Sequence, residues 1–316
     1  MANHPTLTWT PRLKNGLHTD TEDIDDPDFN IRGLADITTG RLFQAFRDVV
    51  IPKLRNEENW RAWRCHLRHM EQNRDTKAPL TPGERTNIRR ILNENDPVFV
   101  VHAGQIADSL GGHVPNCRDR VVVDNKINLK LEEVAGQDQN DERAVEILLT
   151  GIAFHEIAHL ILVRVREENG QTGSGRLTPR IDLFRNPLPP RIPIFEGGYR
   201  AEYILFDGIP TIDDKHLKRD KHTGNLPPWT NFMFYVELEH SGKWISPHIK
   251  PEYFQQMLAA QTPQVRKEWW DMENLSDNDK KSLQIEQNAM DRADRATSRT
   301  TGSGRRPPVQ GAGGPS

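Results

Sequence analysis

Between Val145 and Val165 the sequence is apolar on almost every side of a helix, yet it carries Glu146, His155, Glu156, His159 and Arg164. A helix that is apolar all round belongs either in a membrane or at the centre of a globular core. Charges at those depths make a bilayer span expensive, so the stretch from about Ala144 to Val165 reads as a core helix and no membrane span is expected. A buried core helix with two histidines and a glutamate at its centre then needs something that satisfies those polar groups.

The three polar residues form the spacing His155-Glu156-Ile157-Ala158-His159. Residues four apart on a helix share one face, so His155 and His159 can direct two imidazoles at one Zn²⁺. A third protein ligand and a water complete such a site. Glu156 is swung about 100° round the helix. It therefore reaches the water, whose acidity the zinc raises, and takes its proton as general base. The neighbours Ile152, Ala153, Phe154, Ile157, Leu160 and Ile161 are apolar, and a doubly charged ion supplies what a His-Glu-His cluster needs among them. Zn²⁺ is accordingly the expected cofactor.

The third ligand must come from elsewhere. A third histidine on the same chain segment would require Gly at 162 and His at 165, and the sequence has Leu162 and Val165. Downstream, Ile194-Phe-Glu-Gly-Gly-Tyr-Arg-Ala-Glu-Tyr-Ile-Leu-Phe-Asp-Gly208 offers Glu196 and Glu202 on a predicted helix from Glu196 to Phe206, ended by Asp207-Gly208. The two carboxylates lie about 120° apart round that helix, so both cannot face one zinc equally. Gly198, one turn before Glu202, permits close backbone approach. Glu196 is slightly preferred as the ligand, which leaves Glu202 to orient a ligand or cap the helix.

This arrangement resembles the gluzincin metallopeptidases, in which a zinc-binding Glu on a second helix follows HExxH. Glu196-Gly197 is similar to the Asn-Glu-Gly-Phe-Ala stretch of gluzincin aminopeptidases. The whole pattern, HExxH and then Glu196-x-Gly198-x-x-x-Glu202-x-x-x-Phe206-x-Gly208, resembles an uncharacterised group of zincin-like proteins common in fungi. Their helix ends in Phe-Gly-Gly where this chain has Phe206-Asp207-Gly208. The resemblance covers mainly residues 120–210, with a looser match near 247–254. It implies an α+β, zincin-like fold, mostly helical with a small mixed sheet, and a zinc-dependent peptidase acting on a peptide or protein substrate.

Elsewhere the signals are weaker. The expected organisation is a polar N-terminal segment 1–30, a zincin-like domain 31–274 and a low-complexity, disordered tail 275–316 with room for one exposed helical stretch. Only 35% of the 316 residues are hydrophobic, and that deficit falls in 1–30, 169–193 and the tail. A net charge of −3 argues against a nucleic-acid binder, so the arginines Arg61, Arg64, Arg68 and Arg74 read as a solvated face of a helix from about Asn56 to Gln72. Cys65, His66 and His69 on that helix read as structural. Two cysteines exclude a disulfide scaffold, and an N-terminus without an apolar stretch points to an intracellular, cytoplasmic protein.

Alternation of Ile127, Leu129 and Leu131 predicts a strand over 127–132, placed where an edge strand pairs with substrate backbone. Residues 231–238 and 243–246 read as a β-hairpin. Tyr199, Tyr203, His240, His248 and Tyr253 are candidates for donating to a developing oxyanion. The competing function is a zinc-containing binding or structural protein of the same fold without turnover.

Overall fold

The computed structural model describes residues 32–36, 40–67, 79–93, 100–105, 110–113, 120–168, 197–212, 218, 221–222, 224 and 227–302. The segment 1–30, the 169–193 insertion, His69, Arg68, Arg74 and Glu196 lie outside these residues.

The protein is mostly helical α+β, as expected. Strands β1 (Arg32–Asp36), β2 (Val100–Gln105), β3 (Gly111–His113) and β4 (Arg120–Asp124) form a mixed sheet in the order β1-β2-β4-β3. Within it β2 and β4 run parallel, while β1 pairs antiparallel with β2 and β3 antiparallel with β4. Strands β5 (Ile209–Thr211), β6 (Met233–Glu237) and β7 (Trp244–Ile245) form a second, antiparallel sheet that contains the predicted hairpin.

The helices before the first crossover are short. α1 (Gly40–Ala45) leads through a π-helical turn into α2 (Ile51–Arg55). A 3₁₀ segment, Glu57–Trp63, then runs into α3 (Arg64–Leu67), where one helix from 56 to 72 was expected. Asn56 starts it by accepting the Glu58 amide at 3.1 Å. Trp60 and Trp63, three apart, fall on one side of a three-residue turn and are fully buried. The arginine reading is corrected at Arg64, which is buried and faces Glu84 of α4 (Pro82–Asn93) at 3.9 Å.

The strand expected over 127–132 is a helix, α5 (Asn125–Val134). Asp124 caps it, accepting the Lys126 amide at 2.7 Å. Ile127, Leu131 and Val134 are buried at helical spacing, whereas Leu129 is 38% exposed. The apparent alternation was one apolar stripe plus a surface leucine.

α6 (Gln139–Glu168) begins earlier than predicted, because Asp138 accepts the amides of Asn140 and Asp141 at 2.9 and 3.1 Å. It is about 45 Å long. Among the described residues it contains the one stretch long and apolar enough to cross a membrane, and that stretch is 89% buried inside the molecule. α3, α5, α7 (Gly197–Phe206), α8 (Phe254–Ala259) and β3 pack around it. α7 ends at Asp207, which takes the left-handed backbone at φ 60° that short polar side chains tolerate.

The first part of the tail from 275 holds the helical stretch allowed there, although not all of it is exposed. Asp277–Gly302 is a helix, α9, capped by Ser276, whose hydroxyl donates to Asp279 at 2.7 Å and accepts the Asp279 amide at 3.1 Å. Glu286 on α9 is nearly buried and accepts the amides of His240 and Ser241 at the β6–β7 turn.

Candidate metal centre

His155, Glu156 and His159 stand together at the middle of α6, all at least 92% buried. The two imidazole centroids are 5.1 Å apart with planes at 56°. Trp63 fixes the helix one residue earlier, stacking on Phe154 at 4.9 Å and donating its indole N–H to the Phe154 carbonyl at 3.1 Å.

α7 lies directly across from these residues. The Nδ1 of His155 is 2.5 Å from the Glu202 carboxylate, both side chains being almost wholly buried. With Nδ1–H donating to Glu202, the Nε2 lone pair is left for another partner; this is how carboxylates orient metal-ligating histidines. Of the two glutamates weighed from sequence, Glu202 is therefore brought to the histidines, but at the outer nitrogen of one of them.

Close approach is possible because α7 begins with two glycines. A Cβ at Gly198 would lie 2.2 Å from His155 Cδ2 and 2.3 Å from its Nε2. A Cβ at Gly197 would lie 2.4 Å from His66 Nε2. The first turn of α7 is thus held between two imidazoles, one from α6 and one from α3.

His66, read as structural from the sequence, packs against the first turn of α7. It is fully buried, its Nδ1 is 3.2 Å from Cys65 Sγ, and its Nε2 has no partner at hydrogen-bonding geometry. Burial, and then the neighbouring His159, push its imidazole down to about 3, although the Gly197 backbone favours the protonated ring slightly. His66 is neutral at any ordinary pH. Nothing local in the sequence connects it to α6; the paired glycines 131 positions downstream were the available trace.

Glu156 faces β3. A Cβ at Gly111 would meet Ile152 Cγ2 at 2.4 Å and Glu156 Oε1 at 3.0 Å, so the edge strand's backbone runs against the carboxylate. The edge strand near the site is therefore β3, and the segment 127–132 assigned that role from sequence is α5.

Of the suggested oxyanion donors, Tyr199 meets His155 edge to face at 4.8 Å. Tyr203 instead packs on Trp244, Tyr253 stacks on Trp269, and His240 bonds Glu286 at 3.0 Å.

Among the described residues no three His, Cys, Asp or Glu side chains are gathered as a metal-holding group, and Glu196 is not among those residues. The donors nevertheless suit a zinc ion: two imidazoles one helical turn apart, one of them oriented by a carboxylate. The chain matches no protein-family model, and no curated protein or solved structure is significantly similar to it.

Proposed function

We propose that the protein is a zinc-dependent metallopeptidase of zincin-like fold, with His155 and His159 as ligands, Glu156 as general base and Glu202 as the group that orients His155. The observation that carries this reading is the buried His155–Glu202 bond at 2.5 Å on the HExxH helix. A carboxylate that accepts from the Nδ1–H of a metal-ligating histidine sets that ligand's tautomer and orientation.

Zinc held by these imidazoles would supply Lewis acidity and lower the pKa of a water to ~7. Glu156, about 100° round the helix from His155, would take the proton of the attacking water and return it to the leaving amine. Edge strand β3, against Glu156, would align an extended peptide by backbone pairing. Glu156→Gln tests this: the variant should keep its zinc and lose cleavage of a peptide library that the wild type cuts.

A second reading is supported by the burial of the same residues. With His155, Glu156 and His159 at 8%, 4% and 4% exposure, the site is closed, as in a zinc protein that binds or braces without turnover. A zinc-loaded wild type that leaves every peptide intact would favour it.

A further inference from the structure

We infer that Trp63 is a positioning residue for the candidate metal centre: its indole N–H, on the Phe154 carbonyl, holds His155 where Glu202 meets it. The inference adds to the ligand set proposed above, and of its two measurements below the zinc affinities rest on that reading.

Trp63 stands where the 3₁₀ segment ends and α3 begins. It is fully buried, stacks on Phe154 with ring planes 18° apart, and donates to the Phe154 carbonyl at 3.1 Å. That carbonyl lies one residue before His155. By helical geometry it also accepts the amide of Ala158, the residue before His159. A carbonyl oxygen has two lone pairs and can take both donors. The indole therefore pins the turn that carries His155 and Glu156 and leads into His159.

The same short segment reaches α7. His66, three residues after Trp63, lies against the backbone of Gly197, where a Cβ would come within 2.4 Å of the imidazole Nε2. Trp63 against α6 and His66 against α7 thus set the register of two helices whose contact brings His155 to Glu202. His155 has little latitude there. The backbone at Gly198 lies against its ring, and Glu202 holds its Nδ1 at 2.5 Å. Such a bond depends on both distance and angle, so a small rotation of α6 weakens it.

Trp60 provides the comparison. It is as fully buried, in the same 3₁₀ segment, and donates its indole N–H to the Leu54 carbonyl of α2 at 2.8 Å. Loss of either indole donor removes one buried hydrogen bond, but the bond of Trp63 is made to the helix that carries the histidines.

The test is proton NMR of the metal-free full chain, comparing Trp63→Phe with Trp60→Phe. An imidazole N–H held by a buried carboxylate gives a far-downfield resonance, assigned here by its loss in His155→Ala. Trp63→Phe should shift that resonance upfield or broaden it away, and Trp60→Phe should leave it in place. Alongside, Trp63→Phe should weaken zinc binding about 10-fold, the lower end for loss of a group that orients a ligand. Trp60→Phe should bind zinc as the wild type does. Should Trp63→Phe fold poorly, benzothienylalanine at position 63 keeps the bicyclic ring, removes the N–H and should give the same result. Equal resonances in the two variants, or equal affinities in a chain that binds zinc, would overturn the inference. A wild type without the resonance would overturn it together with the His155–Glu202 bond. A wild type that binds no zinc would overturn the metal centre and leave the resonance to decide the role of Trp63.

Discussion

Gly198 has no side chain because His155 occupies the space a side chain would need. A Cβ there would come within 2.3 Å of an imidazole nitrogen, and that ring is held on its other side by Glu202, so it cannot swing away. Gly198→Ala should therefore destabilise the fold by about 1–3 kcal/mol in urea denaturation and weaken zinc binding as well. Glu202→Gln preserves shape and removes the charge. It should lower zinc affinity about 10–100-fold with little change in folding, measured by competition with a chromophoric chelator. That His155, Glu156 and His159 stand together could be read directly from spacing, because helical periodicity alone brings His155 and His159 to one face. The choice between the two glutamates could not, since it depends on how α7 crosses α6.

α6 was evident from its apolar content, and its start lies at the Asp138 cap within the polar run 137–141. The error at 127–132 has a definite cause: Ile127 and Leu131 satisfy both a period of two and a helical spacing, and only the exposure of Leu129 and the Asp124 cap separate the two. The first half of α6 also carries a titration of its own. Burial, then the charge of Glu142, raise the Glu146 carboxyl to about 7 from its ordinary 4.5. A carboxyl whose folded pKa lies above its unfolded value holds its proton more tightly when folded. Stability is therefore lost as pH rises from about 4.5 to about 7. Glu146→Gln should raise the melting temperature at pH 8 and leave it nearly unchanged at pH 4, where the wild-type carboxyl is already protonated.

The whole chain is hydrophilic for its length, yet its described residues enclose a main core built round α6. Composition located polar stretches well but could not tell which of them dock. α9 is polar enough to read as a tail, and it is held by a few specific bonds, Asp279 with the Ser246 amide and Glu286 with the His240–Ser241 turn. Such bonds leave no periodic signature. The polar groups inside the core helix are the opposite case, conspicuous because everything around them is apolar. The account stands on the claim that they gather a metal ion. Zinc analysis of the purified full chain tests this most directly, with His155→Ala and His159→Ala measured beside it. The account predicts about one tightly held zinc per wild-type chain and none in either variant. A folded wild-type chain that takes up no zinc, even from micromolar solution, would contradict it.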